Sequence, residues 1–423
     1  MIGKDLDETT SFFWQVPENK HLIHHIHMSL SLLLLFISFN SMQNLMSALI
    51  GSLGFVSLAL IYGSLCVSSF LIGPAFVTYF KPRISFIAGS ACYASFIFAT
   101  RWPSAGSLVP TAILVGIGGS ILWTAQGTYL TQAATNYAIL KGQPKGNALG
   151  SFTGIFFAVF QINQIVGNLI AGFILSSPSQ GAQETLGYIF MTLASLSVVS
   201  LFFIVPEESP SEAHSTSILE KVFKAVLLLK DRRLLLLLPV IIYSGMEQGF
   251  VFGTFTAEVI KPAMGKEKIG FVMTAFGAAD VIGSFLLGKI AERYKTTPLV
   301  IIGWLFHLVF FVTLYPLLNQ TKFAVVSSNT YILYLLAVLY GVGDAAWNTF
   351  PNILLALLFK EPEAAFSNLK FWQSVGTLVP FIMGAYHVPL LIVMPVVFGF
   401  LWMAGASMVY LQIFYKVFSG NVD

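Results

Sequence analysis

Three acidic residues stand inside long apolar stretches of the chain: Glu247, Asp280 and Asp344. A carboxylate in such a stretch costs several kcal/mol of free energy unless it is paired or protonated, so each acid is a functional candidate. One role for these acids is to carry a proton, and another is to hydrogen-bond with a neighbouring helix and fix how the helices pack. For Asp280 a third role is to brace the nearby loop that contains Arg293.

Amide and aromatic side chains accompany the acids at helical spacing. Asn40 and Asn44 are four residues apart, as are Asp344 and Asn348, and residues four apart share one face of a helix. The spacing predicts a polar site near the middle of the membrane, although the same amides could serve only the packing of helices. The predicted site comprises Asn40, Gln43, Asn44, Trp123, Thr124, Gln126, Gln161, Gln164, Asn168, Glu247, Gln248, Asp344, Trp347, Asn348 and Gln373.

Motifs for catalysis are absent from the sequence. It holds no GxxxxGKS/T phosphate loop, no GxGxxG turn after a strand, no HExxH motif and no plausible Ser-His-Asp set within one compartment. We therefore predict that the protein is not an enzyme and that it uses no cofactor and no metal.

Four histidines, His21, His24, His25 and His27, precede the first apolar stretch at helical spacing. Imidazole groups bind metals and change their charge near neutral pH, so a metal site or a pH sensor is conceivable. We expect these histidines to form a polar collar at the membrane surface.

Composition places the chain among multi-pass membrane proteins. Of its 423 residues, 56% are hydrophobic and 10% are charged, whereas an ordinary soluble domain has roughly 25% charged residues. The net charge of +3 is spread through the loops and does not indicate a nucleic-acid partner. Cys66 and Cys92 lie in apolar stretches, where they are expected to pack as hydrophobic side chains.

A repeated segment indicates that the chain consists of two related halves. The run from Trp102 to Leu140, 39 residues without a charged side chain, can hold one membrane span. Its glycines and Trp123 recur 224 positions later in GVGDAAWNT, where Trp347 stands, and three further echoes keep the same order. Paired bundles are the arrangement of major-facilitator transporters, with sites between the halves. The two tryptophans are accordingly expected near the interface of the halves.

Apolar runs between charge clusters predict an all-α polytopic membrane protein with the major-facilitator fold, twelve transmembrane helices in two six-helix bundles. The predicted spans are 24–46, 54–80, 84–100, 108–131, 150–175, 184–205, 234–258, 269–291, 298–318, 331–357, 366–386 and 388–415. The predicted domains are an N-terminus at 1–23, bundles at 24–205 and 234–415, a linker at 206–233 and a C-terminus at 416–423. Within the linker, one apolar face from Ile218 to Leu227 predicts a helix that lies on the membrane surface.

Basic residues predict which side of the membrane holds the ends of the chain. Of the 22 Lys and Arg residues, 17 fall in the termini and the even-numbered loops. Because basic residues accumulate on the cytoplasmic side, both termini are expected to be cytoplasmic. The Asn319-Gln320-Thr321 sequon falls on the opposite side, where Asn319 could be glycosylated. The expected location is the plasma membrane or an endomembrane.

Several segments of the chain resemble the uncoordinated-ninety-three family, a branch of the major-facilitator fold. They are WTAQGTYLT (123–131), GIFFAVFQINQIVGN (154–168), YSGMEQGF (243–250), YGVGDAAWNT (340–349) and AAFSNLKFWQSVG (364–376). The resemblance runs through all twelve spans. Family members are known as a regulatory subunit of a two-pore potassium channel in nematodes and as a trafficking chaperone of Toll-like receptors in vertebrates. The resemblance therefore implies a role in partner binding or in potassium homeostasis.

Three functions remain open at this point. The first is a protein of the lipid bilayer that modulates potassium flux, with a potassium channel or another membrane protein as its partner. The second is a secondary transporter of a small solute, facilitative or coupled to a proton that the acids would carry. The third is a trafficking chaperone for membrane receptors. This chain lacks the long cysteine-bearing loop between spans five and six of animal relatives, which disfavours the third function.

Overall fold

The computed structural model describes residues 19–207, 218–294, 297–318, 329–359 and 362–415, and all regular elements within these ranges are helices. The helices of the first half are α1 (Lys20–Ile50), α2 and α3 (together Ser52–Ala99), α4 (Ala105–Lys141), α5 (Lys145–Phe160 and Ile162–Leu175) and α6 (Ala182–Phe202). A short helix, α7 (Ile218–Leu228), follows where the linker was predicted to lie on the membrane surface.

The second half repeats this order. Its first helix, α8 (Arg232–Gly249), continues through a π-helical segment, Phe250–Ile260, and a final turn, Lys261–Met264. A 3-10 turn at Lys266–Lys268 leads into the remaining helices. They are α9 (Ile269–Tyr294), α10 (Thr297–Leu317), α11 (Tyr331–Leu358), α12 (Pro362–Ala385) and α13 (Leu390–Tyr415). Helices α1 to α6 thus correspond to the predicted spans one to six, and α8 to α13 to spans seven to twelve.

The prediction of twelve membrane crossings is confirmed. Nine helical segments of the described chain are apolar and long enough to cross a membrane, and one of them, Ser52–Ala99, has 48 residues and holds two crossings. Helices α11 and α12, with 28 and 24 residues, complete the set of twelve. About 20 residues of α-helix cover the hydrocarbon thickness of a bilayer, so each of the twelve is long enough.

Helices α2 and α3 form one hydrogen-bonded run that reverses direction at Lys81. The backbone of Lys81 has φ 62° and ψ 162°, outside the helical region, and the proline that follows disfavours a helical conformation there. Gly73 lies against Ser120 of α4, and Gly89 lies against Gly118. Positions 73 and 89 each stand eight residues from Lys81, so the two arms meet α4 at the same level. α2 and α3 are therefore antiparallel spans.

Both ends of α4 carry residues that cap a helix. The side chain of Ser104 accepts a hydrogen bond from the backbone N–H of Ser107, and the hydroxyl of Ser107 accepts one from the N–H of Ser104. This capping box satisfies backbone donors that the first turn leaves without partners. At the other end Gly142 has φ 60°, a left-handed conformation that glycine adopts without steric cost.

Asp231 caps the start of α8, and Arg233 links that start to another helix of the second half. Asp231 Oδ1 accepts a hydrogen bond of 2.8 Å from the backbone N of Arg233, whose guanidinium lies 2.7 Å from Asp231 Oδ2. The hydrogen bond from this guanidinium holds the pKa of Asp231 below its ordinary value. Arg233 Nη1 also donates to the carbonyl of Leu358 at 3.0 Å, which joins the start of α8 to the end of α11.

Among the described residues, three of the contacts between the two halves show how the halves are joined, and each contact takes one helix from either half. Ser47 Oγ of α1 donates to the carbonyl of Gly253, in the π-helical continuation of α8, at 2.8 Å. The rings of Tyr62 in α2 and Phe381 in α12 have centroids 5.6 Å apart. Gly270 of α9 lies directly against the backbone of α5. Small residues at two of these crossings allow the close approach that helices in lipid use to associate.

Two glycines of α4 provide a matched test of this close packing. A Cβ at Gly116 would meet backbone atoms of Ile61 and Leu65, whereas nothing lies within 4 Å of a Cβ at Gly127. We expect Gly116→Ala to destabilise the protein by about 1–3 kcal/mol because the helices must separate. Gly127→Ala should be neutral or stabilising by up to about 1 kcal/mol, since alanine favours helix. Thermal unfolding in detergent compares the two variants, and equal melting temperatures would contradict the packing described here.

Candidate functional site

The predicted polar residues of the first half form a ladder of amides between α1 and α5. Asn40 Nδ2 donates to Asn163 Oδ1 at 2.7 Å, and Asn44 Nδ2 donates to Asn168 Oδ1 at 3.0 Å. Asn168 Nδ2 in turn donates to the backbone carbonyl of Gln164 at 2.6 Å. Amides at membrane depth are thus paired with one another, which removes most of the cost of placing them away from water.

One hydrogen bond of the site crosses between the halves. Gln161 Nε2, at the break between the two parts of α5, donates to Asp280 Oδ2 of α9 at 3.0 Å. Asp280 is buried, and Ser284 Oγ approaches its other carboxylate oxygen at 3.4 Å. The structure therefore gives Asp280 a place in the contact between the halves. The side chain of Arg293, the other partner considered for Asp280, lies outside the described residues.

The polar residues of the second half converge on Asn348. Asn348 Nδ2 donates to Asp344 Oδ1 at 2.8 Å, one helical turn away on α11. Asn348 Oδ1 accepts from Gln248 Nε2 of α8 at 2.8 Å and from Gln373 Nε2 of α12 at 3.4 Å. Gln373 Nε2 also lies 3.4 Å from Ser244 Oγ of α8. One amide thus links three helices, α8, α11 and α12.

Glu247 and Asp344 form a carboxyl pair beside Asn348. Both residues are buried, with relative exposures of 0% and 4%, and their carboxyl groups lie near each other. Neither carboxyl oxygen of Glu247 receives a hydrogen bond from an N–H or O–H donor among the described residues. Two carboxyl groups hydrogen-bond only when one of them is protonated, because a carboxylate is an acceptor alone. The arrangement can therefore hold a proton between Glu247 and Asp344.

The two echoing tryptophans lie in separate aromatic clusters. Trp123 packs within the first half, its ring centroid 5.2 Å from that of Phe36 and 5.4 Å from that of Phe160. Trp347 packs within the second half, with its ring centroid 4.5 Å from that of Tyr243. The structure therefore surrounds each tryptophan with aromatic rings of its own half and does not bring the two together at the interface.

Two other predicted residues, Gln43 and Thr124, make hydrogen bonds outside these networks, and a third, Gln126, is buried. Gln43 Oε1 accepts from the hydroxyl of Tyr62 at 3.2 Å, and Thr124 Oγ1 donates to the carbonyl of Ser120 in its own helix at 2.7 Å. Gln126 is buried in α4. Asn319, the predicted glycosylation position, lies outside the described residues.

Two residues of the site were missed by the sequence patterns. Asn163 pairs with Asn40 but shares no face with the amides that marked α5. His307 of α10 is fully buried, and its Nδ1 lies 2.7 Å from the hydroxyl of Tyr243 while its Nε2 lies 3.1 Å from the carbonyl of Tyr340. A single histidine in an apolar helix is a weak signal from sequence alone, because its partners lie on other helices.

Two shallow grooves, of about 310 and 340 Å³, lie on the outer face of α6. Phe98 of α3 borders one of them, and Tyr188 and Thr192 of α6 border both. No residue of the predicted site lines either groove.

Asn348 and Asn352, one helical turn apart on α11, provide a test of the hydrogen-bond network in the second half and its matched control. Asn348→Leu would remove the partners of Asp344, Gln248 and Gln373, and each buried polar group left unpaired costs about 1–3 kcal/mol. Asn352 is exposed, and its hydrogen-bond partner among the described residues is the carbonyl of Asn348, so Asn352→Leu should have little effect. We expect a melting temperature several degrees lower for the first variant and nearly unchanged for the second. Similar melting temperatures would show that Asn348 does not organise the site.

Comparison with known proteins matches residues 49–409 to the family described as "Ion channel regulatory protein UNC-93". UNC93-like protein 3 of Arabidopsis thaliana is 32% identical over 387 residues, 88% of this chain and 82% of that protein. Protein unc-93 homolog A of Homo sapiens is 28% identical over 394 residues, 84% of this chain and 85% of that protein. The unc-93 protein of Caenorhabditis elegans, named as a candidate potassium channel regulatory protein, is 27% identical over 84% of this chain and 56% of its own length.

Solved structures of transporters share the fold. A D-xylose-proton symporter superposes with a TM-score of 0.64 at 17% identity, over 93% of this chain and 97% of that one. The nucleoside transporter NupG superposes with a TM-score of 0.62 at 13% identity, over 91% and 99% of the two chains. At these identities the likeness establishes the major-facilitator fold and no substrate.

Proposed function

The chain belongs to the UNC-93 family, and from this premise we propose that it regulates potassium flux by binding another protein within the membrane. The observation that carries the proposal is the family match over residues 49–409, which includes the acids and amides of the second half. The nematode relative named for potassium channel regulation, similar over 84% of this chain, supports potassium as the ion concerned.

The packing of the polar site supports a regulatory role. Gln248 of α8 donates to Asn348 of α11, Asn348 donates to Asp344 of its own helix, and Gln161 with Asp280 links the two halves directly. A partner that binds the outer surface and shifts one half against the other would change the free energy of this contact. Coupling between partner binding and the polar site needs an element of the structure that has two arrangements, and both the partner and the polar site must influence which one is adopted. We assign that element to the contact between α5 and α9.

The second candidate is a proton-coupled transporter, and the three buried acids favour it. Glu247, Asp280 and Asp344 lie in one half of a fold that proton-driven symporters share. A proton bound between Glu247 and Asp344 could be released as the halves move. This candidate differs from the first in a measurable way, because a transporter works without a partner protein.

We also propose the topology and domain boundaries given by the sequence: cytoplasmic termini, bundles at 24–205 and 234–415, and a cytoplasmic linker with its surface helix. The distribution of basic residues supports them, with 17 of 22 on the terminal side. A cysteine introduced at Lys145 should resist an impermeant label in intact cells, and its modification would reverse the assignment.

A flux measurement tests the regulatory role. In cells from which the native protein has been deleted, we expect rubidium efflux, a tracer for potassium, to change and to be restored by the wild-type protein. Asp344→Asn keeps the hydrogen bond to Asn348 but removes the charge of the carboxyl pair. We expect this variant, at equal abundance in the membrane, to restore the flux about fivefold less well. Glu184→Gln, the same change at an exposed ion pair with Arg101, is the matched control and should restore it fully.

Purified protein in liposomes distinguishes the two candidates. The regulatory proposal predicts no solute uptake driven by a pH gradient across vesicles that contain this protein alone. Uptake of a solute that depends on the gradient and disappears in Asp344→Asn vesicles would overturn the proposal in favour of a transporter. Full restoration of the cellular flux by Asp344→Asn would remove Asp344 from the regulatory site.

A further inference from the structure

Two histidines and a glutamate meet at the end of the bundle where α1 begins. His21 Nδ1 lies 2.7 Å from Glu207 Oε2, and His24 Nδ1 lies 2.8 Å from Glu207 Oε1. The histidines are three residues apart and share one face of α1, and Glu207 follows the end of α6. The potential ligand atoms of all three residues lie within 4.8 Å of one another. Glu207 is 183 residues from His24 in the sequence, so the sequence alone predicts only a polar collar here. The fold brings the carboxylate of Glu207 next to the histidines.

The buried position of Glu207 leaves its charge to be compensated. Its side chain is 2% exposed, and its ion-pair partners among the described residues are His21 and His24. Asn136 Nδ2 of α4 adds a hydrogen bond of 2.9 Å to Oε2. A buried carboxylate is costly unless a positive charge lies beside it, and a cation bound by His21, His24 and Glu207 would supply that charge.

We propose that His21, His24 and Glu207 bind a divalent transition-metal ion of the zinc class. Two imidazole nitrogens and one carboxylate oxygen are donors that zinc takes, and three protein ligands leave a further position for water or another group. The side chain of His24 is 22% exposed, which gives an ion access from the aqueous end of the bundle.

The geometry needs only a small adjustment to hold a metal. With bonds of about 2.0–2.1 Å in a tetrahedral arrangement, ligand atoms lie about 3.3 Å apart. The present nitrogen–oxygen distances of 2.7 and 2.8 Å are those of hydrogen bonds, so the side chains must move apart by roughly half an ångström. Asn136 would then hold the carboxylate from outside the ligand set, as partners of metal ligands commonly do.

A bound metal would fasten three parts of the first half together. It would join the start of α1 to the segment after α6, and through Asn136 to α4. The other two histidines of α1 have different partners. His25 Nε2 lies 2.8 Å from the carbonyl of Phe152, and His27 Nε2 lies 3.0 Å from Ser200 Oγ. His27 therefore serves as a matched control for His24.

The test is metal binding by the purified full-length chain in detergent, with any polyhistidine tag removed. Cobalt(II) serves as the probe because its visible absorption reports coordination by nitrogen and oxygen ligands, and zinc(II) should displace it. We expect one equivalent of cobalt to bind to the wild type. The affinity should fall by about 10–100-fold or more in Glu207→Gln and in His24→Gln, and it should stay unchanged in His27→Gln.

Two results would overturn the metal site: a wild-type protein that binds neither cobalt nor zinc stoichiometrically, or Glu207→Gln and His24→Gln variants that bind as the wild type does. Size-exclusion profiles without metal show whether each variant is folded. If Glu207→Gln fails to fold, His24→Gln decides the question, since His24 is partly exposed and its replacement leaves Glu207 with His21 and Asn136. Zinc should also raise the melting temperature of the wild type and of His27→Gln, and not that of His24→Gln.

Discussion

A carboxyl group in an apolar interior must share a proton, accept hydrogen bonds or lie beside a cation, and this constraint governs the second half of the molecule. Glu247 lies near Asp344, and Asn348 donates to Asp344 while it accepts from Gln248 on another helix. The same side chains that solve the electrostatic problem also fix the positions of α8, α11 and α12. The hydrogen bonds around Asn348 therefore both accommodate the buried acid Asp344 and hold the three helices together.

The two halves have diverged in the charge of equivalent positions. The echo of MQN at 42–44 with MEQ at 246–248 aligns Gln43 with Glu247, so the first half carries a neutral amide where the second carries an acid. Gln43 accepts a hydrogen bond from the hydroxyl of Tyr62, whereas neither carboxyl oxygen of Glu247 has a hydrogen-bond donor among the described residues. The three buried acids Glu247, Asp280 and Asp344 thus all lie in the second half. The contact between Gln161 and Asp280 connects that half to the other.

Hydropathy was sufficient to predict the twelve spans because a bilayer imposes length and apolarity on each helix. Helical spacing also predicted the bond between Asp344 and Asn348, since residues four apart lie on one face. Partners on distant helices could not be predicted this way. Glu207 reaches His24 across 183 residues, and the two tryptophans, though equivalent in sequence, pack inside their own halves. The π-helical segment at Phe250–Ile260 left no recognisable sequence signal either.

We infer that Glu247 and Asp344 share a proton, and infrared spectroscopy tests this most directly. The carbonyl stretch of a protonated carboxyl group is distinct from that of a carboxylate, and it should be present in the purified wild-type protein at neutral pH. We predict that the band weakens by a similar amount in Glu247→Gln and in Asp344→Asn and is unchanged in Glu184→Gln. A wild-type spectrum without the band, or a band of equal intensity in all four proteins, would contradict the shared proton.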